Sequence, residues 1–214
     1  MTEETQEKPT VGILAYGSLI SDPRDEIEKA CTKIIHDVMT PFHIEFARSS
    51  NNRGGAPTLV PVASGGAHVK GQVFEMNVSE AKAADILYRR EIGKEGDMTR
   101  TYKRPNSVTD NTVLVERLTN FAGLDVVLYT QIAATITPLT AKHLAELAIA
   151  SVAKAPDGLD GISYLSAAKK HGIETALSPA YEAEILKKTK CEDLEQARKK
   201  FLSEKTNNTL QILK

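Results

Sequence analysis

The chain has 214 residues, 41% of them hydrophobic, and its 27 Lys and Arg nearly balance its 28 Asp and Glu, so that the formal net charge is -1. This length and composition predict a soluble globular protein of one large domain or two small ones, and the near-zero charge argues against nucleic acids or anionic membranes as partners. The polar first ten residues do not resemble a signal peptide and no apolar run is long enough to span a bilayer, so we expect a cytoplasmic protein.

Strand patterns dominate the first part of the chain. Residues 1–10 are expected to form a disordered lead, and the apolar run 11–16 predicts a buried strand. A helix is predicted to begin near Asp22 and Pro23, because Asp caps free amides and Pro fits the first helical turn. Turn-rich segments then separate three strands that we expect to pair in antiparallel fashion: 43–48, 57–62 and 69–77.

Helical patterns dominate the second part. A helix is predicted from a cap at Asn77 or Ser79 to residue 92, followed by strands over 113–118 and 126–133. Four more helices are predicted from the spacing of apolar residues: 140–154, 161–171, 179–188 and 194–205. No repeat or linker divides the chain, and these elements together indicate an α+β fold.

The first predicted strand ends in an unusual turn, because Tyr16, Gly17 and Ser18 follow its apolar residues directly. Glycine permits close backbone approach, so consecutive amides after the strand can form a nest that binds an anion such as an α-carboxylate. The hydroxyl of Ser18 can add a contact. The alternative is a plain turn in which Gly17 satisfies the geometry and Tyr16 packs in the core.

A carboxylate falls on the apolar face of the predicted helix 79–92. Helical spacing that starts at Ala84 continues through Leu87 and Tyr88 to Glu91. Burial would raise the pKa of this carboxyl and make Glu91 a candidate acid/base. The alternative is a helix end at which Glu91 is solvated or paired with a neighbouring cation: Arg89, Arg90 or Lys94.

These two segments resemble motifs of the γ-glutamylcyclotransferase superfamily. Residues 15–20 (AYGSLI) resemble its YGSL loop, and residues 87–91 (LYRRE) resemble the YLxxRE helix end that carries its catalytic glutamate. Between them, 49–54 through 65–71 resembles the RG…GG…G stretch of the glutathione-degrading ChaC branch. After them, 161–173 is similar to the closing helix of that branch.

The resemblance implies a fold and a set of site residues. The fold is α+β, with a small, mainly antiparallel β-barrel and surrounding helices over residues 11–178 and a helical C-terminal extension over 179–214. Glu91 is implied as the catalytic residue. The substrate loop is implied to consist of Tyr16, Gly17, Ser18, Leu19 and Ile20.

Three further residues are weaker binding candidates. Arg53 lies in the polar loop after the second predicted strand and can bind a substrate carboxylate through its planar guanidinium, although a surface arginine is the ordinary alternative. Arg48 and Tyr102 have the same status. Segment 92–98 stands where ChaC members usually have a Gly-Gly-Tyr turn, which leaves three leaving groups open: cysteinylglycine, a free amino acid or a larger amine.

The implied activity is conversion of a small-molecule γ-glutamyl amide or peptide, glutathione among them, to 5-oxoproline and a free amine. Neither a cofactor nor a metal is expected, because the five histidines lack HxxH or HExxH spacing and the cysteines, Cys31 and Cys191, lie far apart. Two alternatives remain open. One is a non-catalytic protein of the same fold that binds a γ-glutamyl or amino-acid ligand, and the other is a helix-mediated interaction module built on residues 140–214.

Overall fold

The computed structural model describes residues 8–212, with side chains described as far as residue 203. Its strands are β1 (Val11–Ala15), β2 (Cys31–Met39), β3 (Ile44–Ser50), β4 (Ala56–Pro61), β5 (Lys70–Met76), β6 (Leu114–Phe121) and β7 (Leu124–Gln131). Its helices are α1 (Ser18–Ser21), α2 (Asp25–Ala30), α3 (Glu80–Glu91), α4 (Ala141–Val152), α5 (Gly161–Lys170), α6 (Ser178–Thr189) and α7 (Leu194–Ile212). The predicted α+β class is confirmed.

The described chain divides into two compact units that alternate along the sequence. The first contains the described residues up to 15, together with 19–38 and 71–132, and the second contains 16–18, 39–70 and the residues from 133 onward. The boundary expected between residues 178 and 179 lies at the start of α6 and stays a prediction. Most of the expected disordered lead, 1–10, lies outside the described residues.

The first unit is built on a five-stranded sheet with the order β2-β5-β1-β7-β6. The central strand, β1, pairs antiparallel with β5, where Val11 lies opposite Met76, and parallel with β7, where Val11 lies opposite Val126. All five β1 residues are buried, as expected for an apolar run with a strand on each side. Helix α3 contacts β1, β6 and β7, and buries Ile86 and Leu87 in the same apolar core as Val11.

The second unit combines an antiparallel β3–β4 ribbon with helices. Helix α4 packs against α5, α6 and β4, and α7 packs against α5 and α6. Phe46 is fully buried in this unit, and its ring lies edge-on to Tyr164 at 6.0 Å and to Tyr181 at 5.4 Å between centroids. Aromatic pairs of this geometry add to the stabilisation from burial.

The predicted closed barrel is wrong for the described residues. The sheet order leaves β2 and β6 at opposite edges, and β3 pairs with β4 in a separate two-stranded sheet. The β1–β5, β3–β4 and β6–β7 pairs are antiparallel and the β1–β7 pair is parallel, in agreement with the expected mainly antiparallel arrangement. None of the helices in this part of the chain has both the length and the hydropathy of a bilayer-spanning segment.

Candidate active site

The Tyr16-Gly17-Ser18 turn adopts a conformation that requires glycine. Gly17 has φ 77°, in the left-handed region, and a Cβ at this position would lie 2.7 Å from the Tyr164 hydroxyl and 3.4 Å from Leu59 Cδ1. Both the backbone conformation and the space around it therefore exclude a side chain. The ring of Tyr16 packs edge-on against Phe42, with 5.8 Å between the centroids. Tyr16 therefore packs against another side chain, as the plain-turn alternative predicts, although the turn at Gly17 is not a plain one.

The second half of the predicted loop is anchored in the core of the first unit. Leu19 is 5% exposed, and the half-buried Ile20 packs against the same apolar cluster, which includes Leu87 of α3. The carbonyl of Ile20 accepts a hydrogen bond from Gln72 Nε2 at 3.5 Å. The side chains of Leu19 and Ile20 therefore hold this half of the loop against α3.

Glu91 is the last residue of α3. The most buried apolar residues of the helix are Ala83, Ile86 and Leu87, which shifts the predicted stripe by one residue. The Glu91 side chain is 25% exposed to solvent. Burial raises the pKa of this carboxyl, against the opposing influence of the Arg90 guanidinium and with a smaller raising influence of Glu95. The net shift is upward, as expected for a partly desolvated acid.

Arg90 joins Glu91 to the link between α1 and α2. Its Nη1 donates to Glu91 Oε1 at 3.1 Å, and its Nη2 donates to the carbonyl of Asp22 at 2.9 Å. Of the three cations predicted as alternative partners of Glu91, Arg90 is the one in contact. The ion pair fixes the direction of the carboxylate but does not cancel the effect of burial on its pKa.

Arg53 ends a short 3-10 turn and lies on the ring of Tyr164. Its guanidinium carbon is 4.7 Å from the Tyr164 ring centroid, and its Nη1 donates to the carbonyl of Leu159 at 3.3 Å. A cation at this distance from an aromatic face is attracted to it. The second unit thus brings Gly17 and Arg53 together beside the side chain of Tyr164.

Tyr164 was not among the site residues predicted from the sequence. It lies within the α5 segment that resembles the closing helix of the ChaC branch, yet nothing in the spacing of α5 distinguishes Tyr164 from an ordinary core residue. It is 8% exposed, and its hydroxyl is directed at the Gly17 turn. Only the contact across the fold identifies it as a candidate site residue.

The two weaker candidates have structural contacts. Arg48 Nη1 donates to the carbonyl of Ala133 at 2.9 Å. The Tyr102 hydroxyl accepts from the Val115 amide at 3.0 Å, and the Tyr102 amide donates to Asp85 Oδ1 at 2.7 Å. These bonds account for both side chains without a ligand. Within the described residues, no group of three or more His, Cys, Asp or Glu side chains is arranged to hold a metal ion.

Comparisons with known proteins give one structural similarity. No family model matches the chain, and no curated protein matches it either. Among solved structures, the chain is similar to a γ-glutamyl cyclotransferase specific to glutathione from yeast, with 13% identity, coverage of 83% of this chain and 96% of that chain, and a TM-score of 0.42. At this level of similarity, the residues of the chain itself are the basis for assigning a function.

Proposed function

We propose that this protein is a γ-glutamylcyclotransferase, which converts a γ-glutamyl amide or peptide, glutathione among them, into 5-oxoproline and a free amine. Glu91 is the observation that carries the proposal. Its carboxyl lies at the end of the motif-bearing helix, is largely withdrawn from water, and has a pKa raised by burial. An acid whose pKa is closer to the working pH exchanges protons more effectively in both directions.

The substrate supplies its own nucleophile. Its α-amine attacks the γ-carbonyl carbon, a C–N bond forms, and a five-membered ring with a tetrahedral oxyanion results. The bond from that carbon to the departing amine then breaks, which restores the carbonyl and releases 5-oxoproline. No oxidation occurs and no water is consumed, so the reaction needs a folded substrate conformer and two proton transfers.

Glu91 is assigned both proton transfers. As a carboxylate it accepts a proton from the α-ammonium, whose pKa in peptides is about 7.7–8.0. As a carboxylic acid it then donates that proton to the departing nitrogen. The attacking nitrogen carries one excess proton after ring closure, and Glu91 transfers this second proton to the released amine in the same way, which leaves 5-oxoproline, an ammonium product and Glu91 in its starting state. Arg90, 3.1 Å from Glu91 Oε1, keeps the carboxyl in one direction through the cycle.

Substrate binding is assigned to the backbone of residues 16–20, with Arg53 as a further binding candidate. Two observations support the loop assignment. The left-handed turn at Gly17 leaves no room for a side chain, and Leu19 packs in the same core as α3, the helix that ends at Glu91. The second half of the loop, packed with that helix, fits the need to hold the γ-glutamyl group while Glu91 transfers protons.

The test is a panel of γ-glutamyl compounds, with glutathione and γ-glutamyl dipeptides of different leaving amines, assayed for 5-oxoproline by mass spectrometry. The parent protein is expected to release 5-oxoproline from at least one of them. Glu91→Gln keeps the shape of the side chain but cannot transfer the proton, so kcat/KM should fall by about 10²–10⁴.

The matched control is Glu80→Gln, which changes a partly exposed glutamate at the opposite end of α3. It should retain the parent rate. A parent that forms no 5-oxoproline from any compound overturns the proposed activity, whereas a Glu91→Gln variant as active as Glu80→Gln removes Glu91 from the mechanism.

A further inference from the structure

A buried ion pair lies next to Glu91 on α3. Arg89 is 0% exposed, and its Nε donates to Glu26 of α2, to Oε1 at 2.9 Å and to Oε2 at 3.2 Å. Its Nη2 also donates to Glu26 Oε2. This fork-shaped contact fixes the direction as well as the distance of the two side chains.

Both partners of this pair also bind the segment that follows α3. The Gly96 amide donates to Glu26 Oε1 at 2.8 Å, and Arg89 Nη1 donates to the carbonyl of Arg100 at 2.9 Å. The pair, which we call the Glu26–Arg89 clamp, therefore connects three pieces of chain: α2, the last turn of α3, and segment 92–100. A pair of apolar side chains could fill the same space but could not make these two backbone bonds.

Segment 92–100 is held to the end of α3 by the Lys94 amide, which donates to the carbonyl of Arg89 at 2.9 Å, and to α2 by the clamp. It contains no regular helix or strand, and most of its residues are exposed. Gly93 and Gly96 have φ 62° and 80°, so the backbone turns twice in the left-handed region. Met98 is 57% exposed and adds no apolar anchor.

Two charged neighbours influence the Glu91 carboxyl: Arg90, which precedes it on α3, and Glu95 of segment 92–100. Arg90 in turn binds the carbonyl of Asp22 in the link before α2. In the same link, Arg24 Nε lies 2.9 Å from Asp22 Oδ2 and 3.7 Å from Glu95 Oε1. Movement of segment 92–100 would displace Glu95 and so alter the charges around Glu91.

We propose that Glu26 and Arg89 are positioning residues, which hold α3 and segment 92–100 so that Glu91 keeps the placement required for proton transfer. This role rests on the proposed function of Glu91. The clamp does not touch the substrate in this proposal. It acts through the helix end and through the segment that follows it.

The test replaces both partners together, because a single substitution would leave a buried charge and destabilise the fold. Glu26→Leu combined with Arg89→Met retains apolar packing and removes both backbone bonds. We expect a folded protein in which kcat is lower by about tenfold to a hundredfold, with a smaller change in KM. The pKa of Glu91, followed by carboxyl-carbon NMR, should fall towards its ordinary value as water gains access.

The matched control is Glu80→Leu with Arg117→Met, which removes another Glu–Arg pair, with Nε to Oε1 at 2.8 Å, from the opposite end of α3. Its kcat and Glu91 pKa should match those of the parent. Arg89→Lys is a second test variant, which keeps the charge beside Glu26 but loses the fork and the Arg100 contact. It should lose kcat to an intermediate degree.

The outcomes separate the clamp from the activity. A double variant with the parent's kcat and Glu91 pKa overturns the clamp. If the double variant does not fold, the Arg89→Lys variant is the test. A kcat and a Glu91 pKa equal to those of the parent in that variant overturn the clamp as well. A parent protein without 5-oxoproline formation overturns the proposed function, and the NMR titration, which requires no turnover, still tests whether the clamp controls Glu91.

Discussion

Glu45 in β3 and Glu91 at the end of α3 are both glutamates largely withdrawn from water, and their surroundings differ. The Glu45 carboxylate accepts hydrogen bonds from the Phe46 amide at 2.8 Å, the Thr175 hydroxyl at 2.6 Å and the Leu177 amide at 3.0 Å. Among the described contacts, Glu91 accepts one hydrogen bond, from Arg90 at 3.1 Å. The buried Glu45 carboxylate is fully hydrogen-bonded within the protein, and the partly exposed Glu91 carboxylate is not.

The difference distinguishes a carboxylate bound by the fold from the one that we propose as the acid/base. The bonds of Glu45 connect β3 to residues 175–177, just before α6, and compensate for the loss of hydration. Glu91 has less compensation, and burial therefore raises its pKa. A carboxylate in that state fits the proposed role of Glu91 in proton transfer, whereas the bonds of Glu45 serve the fold.

The largest effect on stability is expected for Glu45→Gln. The new amide offers one acceptor oxygen where the carboxylate offered two, so either the Phe46 or the Leu177 amide loses its partner. We expect a loss of about 2–4 kcal/mol in the free energy of unfolding, measured by urea denaturation. Turnover per folded molecule should remain near that of the parent.

The control for this substitution is Glu174→Gln, one residue before Thr175 in sequence and exposed. Its stability should change by less than about 0.5 kcal/mol. Glu91→Gln provides the reverse case, with lost turnover and little lost stability. The contrast between the two glutamates breaks down if Glu45→Gln unfolds at the same urea concentration as the parent.

The elements that the sequence predicted well are those with a local signal. Helix α3 begins after Ser79, whose hydroxyl accepts from the Lys82 amide, and ends at Glu91 within one residue of the expected position. Strand β2 was missed because its side chains are exposed or half-buried and its apolar residues do not alternate. The helix expected from Asp22 begins at Asp25, because Arg24 has φ 70°, which is outside the range of a right-handed helix, so the helix cannot include residue 24.

The parts of the candidate site that escaped prediction depend on distant contacts. Gly17 and Arg53 were identified from the sequence, but Tyr164, which lies beside both, was not. The Glu26–Arg89 contact also joins residues far apart in the chain. Helical or strand periodicity reports which face of an element is apolar, and it carries no information on which distant side chain will meet that face.

A smaller effect is expected from Gly17→Ala, which tests whether the turn at residue 17 is special or ordinary. Gly65 has a similar φ of 69°, but a Cβ added there would have nothing within 4 Å, whereas at Gly17 the Tyr164 hydroxyl would lie 2.7 Å away. Gly65→Ala thus measures the cost of the left-handed backbone alone. We expect Gly17→Ala to lose about 1–2 kcal/mol more than the backbone strain of about 1 kcal/mol.

Tyr164→Phe isolates the steric part of that loss, since it removes the hydroxyl near Gly17. In this background, Gly17→Ala should cost about as much stability as Gly65→Ala, and the double-mutant cycle should show a coupling energy of about 1–2 kcal/mol. Binding of 5-oxoproline, measured by calorimetry, should weaken in Gly17→Ala and not in Gly65→Ala. Equal losses for the two glycines would make residue 17 an ordinary turn.

The smallest effect concerns the balance of influences on Glu91. Arg90 favours the ionised carboxylate and burial opposes ionisation, so Arg90→Met removes the lowering influence and should raise the pKa of Glu91 further. Because Glu91 must be ionised to accept the first proton, the acid limb of kcat/KM should move to higher pH by the same amount.

The substrate's α-ammonium also loses a proton in this pH range, so each profile is measured with two substrates of different amine pKa. The limb that belongs to Glu91 should stay in place when the substrate changes and move when Arg90 is replaced. Arg104→Met, which removes an exposed guanidinium paired with Glu116, should move neither limb. If both limbs follow the substrate amine and NMR places the Glu91 pKa near about 4.3, Glu91 is an ordinary solvated carboxylate. Its surroundings would then differ from those of Glu45 without giving Glu91 a role in proton transfer.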